Sequence, residues 1–433
     1  MPARSLPSAE EASSWQPVEV ARQLAHLDGF CFLDTSGHER EGRDRFSLLA
    51  AHPERVVEGH LQEDLASFRA LWEATQSEPG GDLGLPGPSW IGSVEYDGHF
   101  AFGYYPRPLC FDHQSARWLG DLSLLSERKP TAPPSDSQEP AGRNPFPPGP
   151  APRPGLTRQE FEAAVRRAQA YIAAGDIYQV NLSQQFSLPA PSSLDSFALY
   201  ERLRQASPAP HAAFLRQAGR DVLSASPETF LRMSGRQLLT RPIKGTRPRY
   251  RDPQTDERSA YELLTSAKEL AELVMITDLE RNDLGQVAEI GSVTVSELLK
   301  LERFAQVFHL VSTVEATLRE PLDHLDVLQA CSPGGSITGA PKKRAREIIA
   351  ELEPIPRGLY TGAIGYLGAK GESQFSIAIR TMVREGGQLH FHAGAGIVAD
   401  SVPEREYEET LQKASGLFQA LARPWPEARA CST

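Results

Sequence analysis

The chain has 433 residues, of which 40% are hydrophobic and 23% charged, as in a soluble globular protein of one large or two interlocked domains. Its 45 lysines and arginines against 56 aspartates and glutamates give a net charge of −11, which disfavours a general nucleic-acid or anionic-membrane surface. We recognise no signal peptide, no membrane-spanning apolar run and no Cys/His metal spacing, so we expect a cytoplasmic protein with free thiols.

The first 126 residues are predicted to be rich in β-strands, with one helix near 61–75. The strand signals are apolar runs between turn residues at 29–37, 45–53 and 89–107. Residues 127–155 carry many prolines and few apolar side chains, which indicates an extended linker. Residues 156–423 then form a second predicted domain.

The second domain opens with Thr-Arg-Gln-Glu at 157–160, a capping box that predicts a helix through Ala173, with Gly175 placed to end it. A strand is predicted at 176–186, where Gln179 leads a row of polar side chains on one face. A polar strand face ordinarily contacts solvent, but this row could equally line a polar cavity. The pattern leaves both interpretations open.

Lys244 lies in the sequence RPIKGTRP, between two prolines and directly before a glycine. These neighbours predict that a short strand and a fixed turn present its side chain. Glu228 follows a Ser-Pro turn earlier in the chain, and the strand-like segment LLTRPI lies between the two residues. One hairpin would carry both groups to the same end. Such a pair can serve as acid and nucleophile, although a structural salt bridge is the commoner outcome.

Two predicted helical segments, at 256–279 and within 403–422, each carry a pair of glutamates on one face. The glutamates are Glu269 and Glu272 on the first segment, and Glu406 and Glu409 on the second. Four carboxylates brought together would form an all-oxygen site that suits Mg²⁺. On separate helices such pairs are ordinarily solvated.

Three further candidates lie between these segments. His309 is embedded in an apolar strand, where a core histidine with satisfied hydrogen bonds is the default. The glycine-rich loop 331–343 runs into a helix, so its backbone N–H groups can receive an anion. Arg380 lies within the predicted strand 376–383 and needs a partner, for which a carboxylate is best. The segment Gly394–Gly396 is predicted to be a turn.

From about 156 to 421 the chain resembles the chorismate-utilising enzymes, which include anthranilate, aminodeoxychorismate, isochorismate and salicylate synthases. The matching motifs, in the family's order, are GDIYQVNLSQ, SPE, RPIKGTRPR, KELAELVMITDLERNDLG, HLVS, PGGSITGAPK, YTGAIGY, IAIRT, GAGIVADS and EYEETLQK. The resemblance implies an α+β fold with two large orthogonal, mainly antiparallel β-sheets packed as a sandwich and helices outside. Glu280 departs from the family pattern, which is apolar at this position.

The resemblance also implies a chorismate site. Lys244 would be the nucleophile and Glu228 the acid. Mg²⁺ would be held by Glu272 and Glu409, with Glu269 and Glu406 in support. The substrate would be bound by Gln179, His309, Thr338, Tyr366, Arg380, Gly394, Ala395, Gly396 and Lys413.

Lys244 discriminates among the family members. The segment PIKGT is similar to the aminodeoxychorismate-forming members, whereas anthranilate synthases have alanine at the lysine position and isochorismate enzymes have a lysine in place of Gln179. The resemblance therefore implies conversion of chorismate and ammonia to 4-amino-4-deoxychorismate, for para-aminobenzoate and folate, through a covalent lysine adduct. Since no glutaminase-like Gly-x-Cys-x-Gly elbow is visible, a separate glutamine amidotransferase subunit is expected. The alternatives are an anthranilate-forming enzyme and a noncatalytic chorismate-binding regulatory subunit.

Overall fold

A computed structural model of the protein describes residues 15–35, 45–76, 87–129, 151–304 and 307–423. Two β-sheets, one of 11 strands and one of 10, form its framework. All the strand pairs described are antiparallel, including the long pairs β9–β21 and β15–β16. The predicted α+β class with two large antiparallel sheets is confirmed.

The strands are β1 (Cys31–Asp34), β2 (Phe46–Ala50), β3 (Arg55–His60), β4 (Ser89–Val94), β5 (His99–Tyr105), β6 (Leu109–Asp112), β7 (Arg117–Gly120), β8 (Arg153–Pro154), β9 (Gln179–Pro189), β10 (His211–Gln217), β11 (Arg220–Ser226), β12 (Thr229–Ser234), β13 (Gln237–Arg241), β14 (Ile243–Pro248), β15 (Thr294–Arg303), β16 (Val307–Thr317), β17 (Gly339–Ala340), β18 (Ala363–Gly368), β19 (Glu372–Ile377), β20 (Thr381–Glu385) and β21 (Gln388–Ile397).

The α-helices are α1 (Pro17–Leu24), α2 (Leu65–Glu73), α3 (Arg158–Ala173), α4 (Ser196–Ala206), α5 (Pro253–Leu264), α6 (Ala267–Gly285), α7 (His324–Cys331), α8 (Lys342–Leu352), α9 (Pro403–Lys413) and α10 (Ser415–Leu421). Short 3₁₀ helices lie at Leu122–Glu127 and Gly335–Ile337. Among the described residues, no helix is both long enough and apolar enough to cross a membrane.

Strands from both halves of the chain build each sheet. The larger sheet has the order β17-β9-β21-β20-β11-β10-β1-β2-β6-β7, with β8 against β9. The smaller sheet has the order β14-β16-β13-β12-β19-β18-β4-β5-β3, with β15 against β16. The seven strands of the first 126 residues thus belong to the same two sheets as the strands of the later residues. Residues 130–150, most of the predicted linker, lie outside the described residues.

An apolar layer joins the two sheets. Ile91 and Ile364 from the smaller sheet pack in one buried cluster with Val222 and Val383 from the larger sheet. On the larger sheet, the ring of Phe418 on α10 contacts the stacked rings of β9 and β21 edge-on. Aromatic burial of this kind contributes a large share of core stabilisation.

Local signals predicted many elements correctly. The capping box is present: Thr157 accepts a hydrogen bond from the N–H of Glu160, and α3 runs to Ala173. Gly175 follows with a φ of +82°, a conformation that favours glycine. The helix predicted near 61–75 is α2.

Three predictions about local structure are wrong. The helix expected over 256–279 is two helices, because Ser266 accepts a hydrogen bond from the N–H of Glu269 and caps α6. The strand expected over 376–383 is interrupted at Arg380, where the chain passes from β19 in one sheet to β20 in the other. The segment Gly394–Gly396 is not a turn but part of β21, paired with β9.

Candidate active site

A β-hairpin brings Glu228 next to the strand that carries Lys244. Glu228 directly precedes β12, Lys244 is the second residue of β14, and the hairpin β12–β13 lies between them. Thr229 pairs with Arg241 at the end of this hairpin that is opposite its turn. The backbone of Ile243, the residue before Lys244, lies close enough to the carboxyl group of Glu228 to lower its pKa. The predicted hairpin is confirmed.

A β-bulge at Gly245 directs the side chain of Lys244. The register of β14 against β16 shifts between Lys244 and Thr246, which leaves Gly245 as the extra residue. Gly245 has a φ of +75°, and a methyl group there would lie 2.7 Å from Leu263 on α5. Only glycine satisfies both constraints. The Nζ atom of Lys244 then lies 3.6 Å from Oε2 of Glu272.

Helices α6 and α9 bring their paired glutamates together. Lys268 bridges the two helices, with Nζ 3.9 Å from Glu272 and 3.8 Å from Glu406. The other two glutamates also have cationic partners, Glu409 with Lys413 at 2.7 Å and Glu269 with Arg247 at 4.0 Å. The sequence analysis missed Lys268, although it precedes Glu272 by the four-residue spacing of helical ion pairs.

Cationic side chains lie next to all four of these carboxylates. In the part of the chain that the structure describes, no group of three or more His, Cys, Asp or Glu side chains is arranged to hold a metal ion. One carboxylate oxygen, Oε2 of Glu406, is buried and has no hydrogen-bond partner among the described residues. The predicted magnesium site stays a prediction.

Burial and neighbouring charges separate the pKa values of the carboxyl groups. Burial raises the pKa of Glu269, and the adjacent Glu272 raises it further. Burial likewise raises the pKa of Glu406. Although burial opposes the change, the charge of Lys413 lowers the pKa of Glu409. The cluster therefore contains both readily ionised and reluctantly ionised carboxyl groups.

Glu228 can hold a proton at neutral pH. Burial raises its pKa to about 7, against the opposing effects of a hydrogen bond from Ser336 and the charge of Lys244. A carboxyl group with a pKa near the working pH is suited to donate a proton in a reaction. Glu228 thus has the protonation behaviour of a general acid.

His309 on β16 presents a neutral ring. Burial, together with the charge of Arg380, lowers its pKa to about 4. Its Nδ1 atom lies 2.9 Å from Oγ1 of Thr246, and the ring of Phe304 packs edge-on against it at 5.0 Å between centroids. These contacts satisfy a core histidine, and its predicted position against a substrate ring stays a prediction.

Arg380 is a partly buried cation at the crossover between the sheets. Its φ is +50°, and its Nη1 donates to Oγ of Ser207 over 3.4 Å. No carboxylate pairs with Arg380 within the described ranges of the chain. Burial lowers the pKa of its guanidinium, because removing the charged form from water costs free energy. A carboxylate ligand would compensate that cost.

The edge of β21 nearest this crossover has backbone N–H groups that pair with no strand among the described residues. On β9, the N–H of Asn181 donates to the carbonyl of Thr338, and the N–H of Ser183 donates to the carboxylate of Glu353. Both N–H groups therefore point away from β21. Residues directly opposite each other in an antiparallel pair either exchange both hydrogen bonds or exchange none. Gly396 is opposite Asn181 and Gly394 is opposite Ser183, so the N–H groups of these two glycines point away from β9. The recorded pairing of β20 with β21 begins at Phe391 and does not extend to these glycines.

The resulting open edge lies beside two predicted site residues. Nζ of Lys413 donates to the carbonyl of Gly394 over 3.1 Å. A methyl group at Gly396 would lie 3.0 Å from Nε2 of Gln179 and 3.5 Å from Nζ of Lys244. Gln179 is buried, and neither its oxygen nor its nitrogen has a hydrogen-bond partner among the described residues. The polar face of β9 therefore lines a polar site at this end, with Ala395 between the two glycines.

Two predicted substrate-binding residues, Thr338 and Tyr366, make contacts outside the group of residues around Lys244. The hydroxyl of Thr338 is buried and bonds to the carbonyls of Gly334 and Gly335 within its own loop. Tyr366 lies on β18 and packs in the apolar layer between the sheets. Among the described residues, no hydrogen bond joins either side chain to Lys244, and their roles stay predictions.

The glycine-rich loop binds a carboxyl group of its own chain. The N–H groups of Gly335 and Ser336 both donate to Oε1 of Glu280 on α6, over 3.1 and 3.3 Å. The sequence analysis identified the loop as an anion site and Glu280 as a departure from the family pattern, but did not connect the two.

Known proteins resemble this chain along most of its length. A family model described as "chorismate binding enzyme" matches residues 39–419. The chain is 40% identical to anthranilate synthase component 1 of Thermus thermophilus, over 94% of this chain and 95% of that protein. It is 46% identical to aminodeoxychorismate synthase component 1 of Salmonella typhimurium, over 74% of this chain and 70% of that protein.

A solved structure shares the fold. Anthranilate synthase component I from Streptococcus pneumoniae is similar with a TM-score of 0.71 and 32% identity, covering 86% of this chain and 91% of that chain. The similarity extends over both sheets, because it covers most of each chain.

We expect Glu228→Gln to stabilise the fold at high pH and not at low pH. A carboxyl group whose pKa rises on folding from 4.5 to about 7 contributes stability below pH 4.5, and this contribution is lost as the pH rises through about 7. Glutamine does not ionise, so the variant should gain about 3 kcal/mol in free energy of unfolding, relative to wild type, between acid and mildly alkaline pH.

Chemical denaturation across this pH range measures the gain, with the exposed Glu257→Gln on α5 as the matched control. A difference between Glu228→Gln and wild type that is the same at every pH would contradict the buried, reluctantly ionised state of Glu228.

Proposed function

The chain belongs to the chorismate binding enzyme family, and from this premise we propose that it converts chorismate and ammonia to 4-amino-4-deoxychorismate. The observation that carries the proposal is the placement of Lys244. Its amine lies beside Gln179, Gly396 and Glu272. Glu228 lies at the same end of the hairpin β12–β13. A lysine in contact with the site can act as a nucleophile before ammonia does.

The substrate would bind through its two carboxylates. Arg380 supplies a partly buried guanidinium that pairs with no carboxylate in the described part of the chain, and Lys413 supplies an ammonium group. The N–H groups of Gly394 and Gly396 at the open edge of β21 add two neutral donors. Because hydrogen bonds to charged groups are the strong ones, these donors would fix both the position and the orientation of the ring.

The first step forms the lysine adduct. The neutral amine of Lys244 attacks C2 of chorismate, the two ring double bonds shift, and the C4–O bond breaks. Glu228 donates its proton to the departing hydroxyl, which leaves as water. The raised pKa of Glu228 supports this role because the group retains a proton near neutral pH.

The second step restores the lysine. Ammonia bonds to C4, the double bonds shift back, and the C2–N bond to Lys244 breaks. The incoming nitrogen gives up one proton, which returns the Glu228 carboxylate to its acid form. Two successive displacements leave the amine at C4 and the enolpyruvyl ether intact. The balance is chorismate plus ammonia to aminodeoxychorismate plus water.

The glutamates of α6 and α9 fit a magnesium ion by their chemistry. They offer hard oxygen donors, and Oε2 of Glu406 is buried and has no partner among the described residues. Glu272 and Glu409 would hold the ion, with Glu269 and Glu406 in support. Bound there, Mg²⁺ would neutralise a substrate carboxylate. Lys268, which contacts Glu272 and Glu406, would have to withdraw.

The ammonia would come from a separate glutamine amidotransferase subunit. The relatives from Thermus and Salmonella are both named component 1, which supports the existence of a second component. The product would serve para-aminobenzoate and folate synthesis in the cytoplasm.

Anthranilate formation is the second candidate. The relative from Thermus thermophilus that matches 94% of this chain is named anthranilate synthase component 1, and so is the similar structure from Streptococcus pneumoniae. In that reaction ammonia would attack C2 directly and the enolpyruvyl group would be lost as pyruvate. Lys244 favours the first candidate, because a direct attack on C2 needs no amine at that place.

We expect the purified chain to form aminodeoxychorismate from chorismate, Mg²⁺ and an ammonium salt, and not from glutamine. Mass and NMR analysis of the product locates the amine and shows whether the enolpyruvyl group is retained. Release of anthranilate and pyruvate would assign the second candidate. Turnover with glutamine by the purified chain alone would contradict the separate amidotransferase.

We expect Glu272→Gln to abolish magnesium-dependent turnover, because a hard-ion site with few carboxylates has no substitute for one of them. The matched control is Asp278→Asn, which changes a largely exposed carboxylate on the same helix. Circular dichroism checks that both variants fold. Full turnover of wild type in EDTA would eliminate the magnesium assignment.

We expect Lys244→Ala to lose the covalent adduct and most of the rate. Any remaining reaction would place the amine at C2, because ammonia would then attack that carbon directly. Intact-protein mass spectrometry after addition of chorismate without ammonia detects the adduct, and Lys268→Ala controls for a nearby lysine. A wild-type protein that never gains the adduct mass, with a Lys244→Ala variant that still forms only the C4 amine, would refute the nucleophile role.

A further inference from the structure

A buried ion pair lies beside β9, the strand that carries Gln179. Glu353 directly follows α8, and Arg357 is the fourth residue after it. Nε and Nη2 of Arg357 donate to the two carboxylate oxygens of Glu353 over 2.8 and 2.7 Å, and the side chains are 1% and 6% exposed. Two parallel hydrogen bonds between opposite charges make this a strong pair with a fixed geometry.

The ion pair fills a gap along the outer edge of β9. β17 pairs with one end of this edge and β8 with the other. Asn181 and Ser183 lie between, and in the described part of the chain no strand pairs with them on the side away from β21. Instead, Nη2 of Arg357 donates to the carbonyl of Asn181 over 2.7 Å. Oε1 of Glu353 accepts from the N–H of Ser183, also over 2.7 Å. The two side chains therefore bond to β9 as a neighbouring strand would.

Arg357 also holds the glycine-rich loop. Its Nη1 donates to the carbonyl of Ile337 over 3.0 Å and to Oγ1 of Thr361 over 3.2 Å. The next loop residue, Thr338, accepts from the N–H of Asn181 over 2.8 Å. All five N–H groups of the guanidinium thus have acceptors within the chain. They fix β9, the loop and the segment before β18 relative to one another.

The position of β9 determines the position of the open edge of β21. Asn181 is opposite Gly396, and Ser183 is opposite Gly394. The contact is close, because a methyl group at Gly394 would lie 2.7 Å from Oδ1 of Asn181 and 3.0 Å from Cβ of Ser183. A displacement of β9 would therefore move the N–H groups of both glycines.

We infer that Arg357 is a positioning residue for substrate binding, because it holds β9 and thereby the edge N–H groups of Gly394 and Gly396 in place. The inference rests on the proposed function, which assigns a substrate carboxylate to these N–H groups. Arg357 itself has no N–H group left for the substrate. It bonds to the larger sheet, whereas Lys244 lies on β14 of the smaller sheet, so its replacement should alter binding rather than the attack on C2.

Arg357→Lys is the variant that tests this role. Lysine keeps the positive charge, but a single ammonium group cannot form the two-point pair with Glu353 and also donate to Asn181 and Ile337. A donor that binds substrate and transition state alike affects KM and not kcat. We expect the KM for chorismate to rise by roughly ten- to a hundredfold, the equivalent of one hydrogen bond to a charged group. The kcat with an ammonium salt should change by less than about threefold.

The matched control is Arg204→Lys. Arg204 pairs with Asp34, whose side chain is fully buried on β1 of the same sheet. Thermal unfolding should show that both variants fold and lose stability, while only Arg357→Lys raises KM. An equal rise in KM for the two variants, an unchanged KM for Arg357→Lys, or a fall in kcat without a change in KM would each overturn the inference.

A second variant covers the case in which Arg357→Lys does not fold. Replacing both members of the pair, as Arg357→Met/Glu353→Met, leaves no buried charge without a partner. This variant should fold and show the same rise in KM. A wild-type KM, or failure of both variants to fold, would overturn the inference, because the pair would then serve stability alone.

Equilibrium binding separates this inference from the proposed function. The Lys244→Ala protein cannot form the lysine adduct, so calorimetric titration with chorismate and Mg²⁺ measures the dissociation constant alone. Adding Arg357→Lys to it should raise that constant by roughly ten- to a hundredfold as well. If neither wild type nor Lys244→Ala binds chorismate, the proposed function fails. If both bind it and Arg357→Lys changes neither the dissociation constant nor KM, only this inference fails.

Discussion

The site depends on one crossover between the two sheets. The chain leaves the smaller sheet after Ile377 and enters the larger sheet at Thr381, and Arg380 lies between them with a φ of +50°. Because β20 starts only there, it does not cover the far end of β21, and the N–H groups of Gly394 and Gly396 stay unpaired by strands. The same short segment places the partly buried guanidinium of Arg380 beside that edge. This crossover thus positions both the guanidinium and the N–H groups to which the proposed function assigns the substrate carboxylates.

In the site, the negative charges of glutamates lie next to the positive charges of lysines and an arginine, and a dianionic substrate would add further negative charge. Four glutamates on α6 and α9 face lysines and an arginine, and Lys268 connects the two helices. A substrate with two carboxylates would add negative charge to this set, and the proposed Mg²⁺ would offset that charge. Without that ion, each lysine that turned to the substrate would leave a partly buried carboxylate unpaired, at a cost of several kcal/mol.

Local patterns predicted elements well, and long-range contacts less well. The capping box at Thr157 and the hairpin that unites Glu228 with Lys244 depend on neighbouring residues, and both are present. The break at Arg380 has no local signal, because the apolar residues around it suit a strand in either sheet. The partner of Glu280 is equally nonlocal: a charged residue in an apolar pattern indicates a buried contact but does not identify the Gly335–Ser336 loop as that contact.

Several polar groups of the site lack hydrogen-bond partners among the described residues, and this bears on selectivity. Both polar atoms of Gln179 and one oxygen each of Asn181 and Glu406 are buried in this state. Each such group reduces stability by about 1–3 kcal/mol unless a ligand satisfies it. A ligand with donors and acceptors in matching positions offsets those costs, whereas an isostere that lacks one group does not, and sites of this kind reject such analogues strongly. Under the proposed function, the choice among nucleophiles on chorismate would therefore rest on these polar groups and on Lys244.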